Sequence, residues 1–516
     1  MRKSPVSFSI LVSFVLISLC GWTIENPSER WIVKFRSDRT NLVRSSESTS
    51  QLIKRLQSDL VQNVRKLSEA RAFSERNVSN STEYLWAANS IALTVSSDQI
   101  KEISSLENVE AVFPVRYRKY LPDMPVSKSD KRPQAPKHWG VAKIKAPEVW
   151  SNYKVDGSGI IVGHIDSGVD GKHPMLAGKV IAFKDFTNEA TQEAYDDHGH
   201  GTHTAGTICA SDGYGVAPGA KIVSAKAFTK EGNTSTEILI RAMQWMLDPD
   251  GNPETNDAPR IVSNSWGSQP DEDDAAFYAV VENWVSAGIL PVFAAGNMPF
   301  GVTKVVDTPA RFKISWAVGA TKTNDGITSF SCQGPSEWNG ETYVKPDISA
   351  PGDTIISCKV GGGVKEWSGT SMSCPHVAGV AALMLQANPK LTIPEIREIA
   401  EKTSIDKEEP GKDNAYGSGR IDAFACISEV VAKAPVANLF EGYMMALEAE
   451  KSYQMLSNSS PLAAPMAKYI IEKSRNLDEG EFISLKHLFI NDSLKYSILK
   501  QAETARNFLK IYDEIH

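Results

Sequence analysis

Three short motifs hold side chains that could act on one another. The first is Ile165-Asp166-Ser167-Gly168-Val169-Asp170, at the end of an apolar run. The second, residues 197–206, holds Asp197, His198, His200 and His203 among Gly199, Gly201 and Gly206. The third, residues 369–379, starts Gly369-Thr370-Ser371-Met372 and opens a helical stretch running through Ala382 and Leu385. A serine hydroxyl is a poor nucleophile until a base takes its proton. Imidazole is poised for that near neutral pH. A carboxylate then fixes the ring's tautomer and stabilises the imidazolium. Asp166, His200 and Ser371 supply one of each.

Taken singly, each motif is ambiguous. An aspartate at a strand end can cap a turn or bind a metal, and a serine at a helix start is commonly an N-cap. His198, His200 and His203 also invite a zinc reading. Zinc is the weaker alternative, because the chain has no HExxH pattern and catalytic zinc takes three protein ligands plus water.

The motifs need a scaffold. Residues 160–165, 221–225 and 289–294 read as short buried strands, and residues 235–247 and 275–287 read as helices. Continuous apolar strands alternating with helices predict a mostly parallel sheet covered on both faces. Such sheets bind ligands at the carboxyl ends of their strands. Upstream, residues 30–35, 90–95 and 109–114 read as strands. Residues 49–74 and 97–106 between them read as helices, which gives a small α/β unit.

Length and composition bound the rest. The chain has 516 residues, 55 Lys plus Arg against 62 Asp plus Glu, and a net charge of -7. That balance argues against a nucleic-acid partner. Hydrophobic residues at 41% and charged residues at 23% are globular proportions. Arg2, Lys3 and an apolar run over residues 6–19 read as a secretory signal, too short for a spanning helix. We therefore expect a signal over 1–22, an α/β unit over 23–120, a polar linker over 121–137, a large unit over 138–432 and a helical extension over 433–516. No membrane span is expected after signal removal, and the location is secreted or cell-envelope. Lipid attachment at Cys20 is a minor alternative. The other cysteines, Cys209, Cys332, Cys358, Cys374 and Cys426, show no CxxC spacing and read as mostly buried thiols.

Residues 138–432 resemble the catalytic domain of the subtilisin-like serine proteases, the subtilases, and among them the bacillopeptidase F type. The order Asp, His, Ser is that of subtilisin. The likeness extends to residues 215–220, Ser263-Asn264-Ser265-Trp266-Gly267, Ala294-Ala295-Gly296-Asn297 and residues 345–352. The resemblance implies a serine endopeptidase of subtilisin-like three-layer α/β fold. Ser371 would be the nucleophile, His200 the base and Asp166 its orienting acid. Asn297 would stabilise the oxyanion, while Ser265, Trp266 and Gly267 would bind substrate. His198 and His203 would support the site. Trp266 with Met298 hints at an apolar specificity pocket, with Gly362 and Gly363 as an opposing wall. Residues 31–35 and 106–114 resemble an inhibitor-type propeptide, which implies a self-processing zymogen cut within about residues 117–136. Its partners would be protein or peptide substrates and its own propeptide. No cofactor is required. Met175 stands where many relatives have a calcium-binding aspartate, so the usual high-affinity calcium site is expected to be absent; calcium elsewhere stays open. The competing reading is a catalytically silent binding module on the same fold.

Overall fold

The structure is a computed structural model that describes residues 29–37, 47–69, 82–121, 139–188, 191, 193–271, 273–298, 305–408 and 410–432. The expected signal, nearly all of the linker and the helical extension lie outside the described residues.

The N-terminal unit contains β1 (Glu29–Phe35), α1 (Thr49–Glu69), β2 (Glu83–Leu85), β3 (Ser90–Val95), α2 (Ser97–Ser104), β4 (Val109–Pro114) and β5 (Tyr117–Lys119). Four strands pair antiparallel in the order β2-β3-β1-β4. Alternation along them separates two apolar faces. Val33, Phe35, Ile91, Leu93 and Val95 pack with Leu60 and Leu67 of α1 and Ile100 and Ile103 of α2. Ile32, Ala92 and Phe113 face the larger unit. α2 begins where Ser96 and Gln99 form a reciprocal capping box. Strand β2 and the 3-10 turn Trp86–Ala88 were not foreseen, since three residues carry no readable period.

The larger unit contains β6 (Ile161–Asp166), β7 (Val180–Asp185), β8 (Lys221–Lys226), β9 (Asn233–Ser235), β10 (Ile261–Asn264), β11 (Leu290–Ala294) and β12 (Trp316–Thr321). It continues with the hairpin β13 (Ser336–Trp338) and β14 (Glu341–Tyr343), then β15 (Ile348–Pro351), then the hairpin β16 (Ile355–Cys358) and β17 (Val364–Trp367). Seven strands form one sheet, ordered β15-β12-β11-β10-β6-β8-β7, with every pairing parallel.

Its helices are α3 (Trp139–Lys143), α4 (Ala146–Tyr153), α5 (His200–Cys209), α6 (Thr236–Trp245), α7 (Asp274–Ser286), α8 (Thr370–Ala387), α9 (Ile393–Lys402) and α10 (Ala423–Ala432). One sheet face, through Val162, Ile222, Val292 and Val318, packs on α4, α5, α8, α9 and α10. The other, through Ile165, Val223, Val262 and Phe293, packs on α6 and α7. This is the expected three-layer α/β arrangement of the subtilisin-like fold.

The two units share the second of these cores. The turn Trp86–Ala88 sits against α6 and α7: Ala87 N–H donates to Gln244 Oε1 at 3.0 Å, and Asn283 Nδ2 donates to Ala87 O at 2.8 Å. Arg30 makes a two-pronged pair with Glu237, both contacts 2.6 Å. Strand β5 lies outside the four-stranded sheet and pairs antiparallel with β9. Beyond it, the N–H groups of Tyr120 and Leu121 both donate to Gly232 O, at 3.1 and 3.2 Å.

Candidate active site

Asp166 is the last residue of β6, a strand inside the parallel sheet, and His200 is the first residue of α5. Both are fully buried. His200 Nδ1 donates to Asp166 Oδ1 at 2.7 Å. Asp166 also accepts from Ser167 N–H at 2.7 Å and from Thr204 Oγ1 at 3.0 Å. Burial alone would push this carboxyl up, but the His200 imidazole and the Ser167 N–H hold it down at about 2. Helix and strand meet so closely that a Cβ on Gly201 would lie 2.0 Å from Gly168 O, so only glycine fits there. His200 Nε2 is buried and makes no hydrogen bond.

Ser371 lies in the first turn of α8, 3% exposed. Its hydroxyl donates to Ser265 O at 3.1 Å, and the Ser265 hydroxyl donates to Ser371 O at 2.8 Å. Asn297 follows β11. Its Oδ1 accepts from Thr370 N–H at 2.9 Å and the Thr370 hydroxyl at 3.2 Å, which turns Nδ2 outward. A Cβ on Gly369 would start 3.6 Å from Ser371 N and 3.7 Å from Asn297 Nδ2. These two nitrogens therefore border one small space. A helix N-terminus beside it favours negative charge.

Ser265, Trp266 and Gly267 follow β10. The indole of Trp266 does not line an open pocket. It packs edge-on against Phe293 at 5.5 Å, with Phe228, Phe277 and Tyr120 at 6.2 to 6.4 Å. Met298 packs against the same core. Gly362 and Gly363 lie in the β16–β17 turn, where His173 Nε2 donates to Gly363 O at 2.8 Å. Among the other histidines, His203 Nε2 donates to the carbonyls of Ile355 and Lys365, and His198 stacks on Trp367. His164 is a misleading neighbour of Asp166. Its ring nitrogens are taken by Ser224 Oγ at 3.0 Å and Thr204 Oγ1 at 2.9 Å, and burial holds its pKa down.

Two positioning residues escaped the sequence reading. Asp196 accepts from the N–H groups of His198, Gly199 and Thr202 and from the hydroxyls of Ser167 and Thr202, at 2.7 to 3.1 Å. It thereby fixes the entry to α5 that presents His200. An acid four residues before a helix-starting histidine was the available signal. Lys226 is buried and binds Ser167 O, Phe228 O and Asp197 at 2.6 to 2.8 Å. Nothing in its strand pattern announces that. Met175, in the turn Pro174–Leu176, packs against the apolar core. Asp248, Asp250 and Asp257 bring carboxylate oxygens within 4.8 Å of one another, but in a separate loop. There Asp250 accepts from Asn252 N–H and Thr255 Oγ1, and so closes its own turn. The five described cysteines are all buried free thiols. No described helix is long and apolar enough to cross a membrane.

The Subtilase family profile matches residues 157–419. Bacillopeptidase F of Bacillus subtilis is 36% identical over 380 residues, covering 67% of this chain and 26% of that protein. Serine protease AprX of the same organism is 35% identical over 300 residues, covering 52% of this chain and 66% of that protein. Subtilisin E is 33% identical over 292 residues, covering 56% of this chain and 70% of that protein. The chain thus spans about a quarter of bacillopeptidase F and just under two thirds of AprX. With the profile covering just over half of its length, the chain belongs to the subtilase family.

Proposed function

We propose that this chain is a serine endopeptidase that hydrolyses protein or peptide substrates through an acyl-enzyme, and that it is exported as a self-processing zymogen. The observation that carries this reading is the state of His200. Asp166 holds Nδ1, while Nε2, buried and without a partner, keeps a lone pair available. The Ser371 hydroxyl must rotate from Ser265 O to give its proton to that nitrogen. Oγ then bonds the substrate carbonyl carbon, and the oxygen becomes an anion between Asn297 Nδ2 and Ser371 N–H. Collapse breaks the C–N bond, with the proton passing from His200 to the leaving amine. Water repeats the sequence on the ester. Residues 265–267 offer backbone to an extended substrate. No resident cofactor takes part in these steps.

The N-terminal unit acts here as the intramolecular inhibitor. Strand β5 on β9, and Tyr120 against Phe228 and Trp266, lead the chain toward the site. Cleavage then falls in the linker expected over 121–137. The signal over 1–22 would export the chain.

The test is labelling with a fluorophosphonate, which bonds only an activated serine. Mature wild-type protein should carry one adduct, mapped to Ser371 by peptide mass. The absence of an adduct would leave the silent binding module as the better reading. Asn297→Ala should lower kcat about 100- to 1000-fold with little change in KM, the size known for the corresponding donor in subtilisin.

A further inference from the structure

Among the buried acids that the proposed chemistry does not use, Asp307 is held by a neutral donor alone. Asp307 is 8% exposed and sits where two cleft segments meet. Its N–H donates to Ala295 O at 2.9 Å, two residues before Asn297. The next residue, Thr308, exchanges N–H···O bonds with Ser268 at 2.7 and 3.0 Å, beside Gly267. A Cβ on Gly296 would begin 2.4 Å from Asp307 Oδ2, and one on Gly267 would begin 2.8 Å from Asp307 Cβ. Glycine at both positions therefore makes room for the acid.

This carboxylate has no counter-ion among the described residues. Gln269 Nε2, a neutral donor, holds Oδ1 at 2.6 Å. On the same segment, Arg311 is held by Asp274 at 3.1 Å and by Glu337 O. Across from it, Asp273 accepts from Thr236. No nearby charge offsets the burial that pushes the Asp307 carboxyl up to about 7. A buried carboxylate without a cation is unfavourable, and a cation brought by a ligand relieves that penalty.

The substrate carbonyl held by Ser371 and Asn297 fixes where its own side chain goes. That side chain leaves the adjacent α-carbon, and the segments beside it are residues 265–267 and 295–297, which follow the paired strands β10 and β11. We propose that Asp307 is the floor of the pocket for the residue preceding the scissile bond, and that it selects lysine or arginine there. This deepens the peptidase reading and rests on it. It replaces the apolar pocket expected from Trp266 and Met298, of which the first is buried in the core and the second packs against it.

The experiment uses mature enzyme and peptide p-nitroanilides that differ only in that residue: Lys, Arg, Leu or Phe. At pH 8, kcat/KM for Lys and Arg should exceed that for Leu by about 100-fold or more. The Lys-to-Leu ratio should fall as pH drops through about 7, where Asp307 takes a proton. The ratio cancels the titration of the catalytic imidazole, which both substrates share. In Asp307→Asn the ratio should collapse toward one and become flat with pH. A wild type that prefers Leu or Phe, with a pH-independent ratio, overturns the proposal. Failure to hydrolyse any of the four overturns the peptidase reading instead.

Discussion

Replacing Ser371 with alanine is expected to lower kcat about a million-fold, the figure known for the same change in subtilisin. It should also leave the N-terminal unit attached. Alanine removes the hydroxyl proposed to bond the substrate carbon, and no neighbouring hydroxyl among the described residues is placed to stand in. The hydroxyls of Ser265 and Thr370 are already engaged, with Ser371 O and Asn297 Oδ1. The fold should survive, since the lost hydroxyl made one bond, to Ser265 O, and α8 is anchored by its own apolar residues. Intact mass and casein digestion, side by side, read both outcomes. Wild type should shorten into the 121–137 linker and digest casein, while the variant should do neither. A variant that shortens as wild type does would mean that a separate protease matures the chain.

That contrast isolates self-processing because the N-terminal unit is seated on the larger unit in more than one place. Turn Trp86–Ala88 sits against α6 and α7, Arg30 pairs with Glu237, and β5 extends β9. An uncut variant should therefore hold its own inhibitor. Adding wild-type enzyme in trans should cut the linker of the variant without giving it activity.

The meeting of Asp166 and His200, 2.7 Å apart, was expected because each stands in a short motif at the end of a readable element. The strand ending at Asp166 and the helix opening at Ser371 also carry strong apolar patterns. Helix 235–247 was foreseen almost to its ends; the structure trims it to Thr236–Trp245, capped by the Ser235 side chain. Asp307 was not legible. Its run, Val305-Val306-Asp307-Thr308-Pro309, looks like any loop acid. Its meaning comes from Gly267 and Gly296, which are near it only in the fold. The ring packing of Trp266 was hidden for the same reason: an aromatic residue beside a cleft motif can face the core. Lys226 likewise acts through contacts that no spacing rule encodes. Local elements were thus readable where chain neighbours define them, and contacts were unreadable where tertiary neighbours do.

Asp166→Asn should lower kcat about ten-thousand-fold, the loss known for the equivalent change in another serine protease, with KM nearly unchanged. The wild-type carboxylate accepts three hydrogen bonds, from His200 Nδ1, Ser167 N–H and Thr204 Oγ1. An amide offers one oxygen and one NH2. With NH2 toward His200, Nδ1 must accept, the proton moves to Nε2, and the base is lost. With the oxygen toward His200, the NH2 meets a Thr204 hydroxyl that also contacts His164 Nε2 and Gly201 O. Neither orientation restores a charge to stabilise the imidazolium. Because the wild-type carboxyl is held at about 2, below the ordinary carboxylate range, Asp166 stays ionised across the working pH range. Any loss of activity just below neutrality therefore has another origin. The depressed value also stabilises the fold above the unfolded carboxyl's pKa, by roughly 2 kcal/mol for a shift of this size. That contribution is lost as pH falls from about 4 toward 2, and the Asn variant should lack it throughout. Denaturant midpoints at pH 7 and pH 3 should therefore differ less in the variant than in wild type. Equal kcat in the two proteins would remove Asp166 from the proposed mechanism.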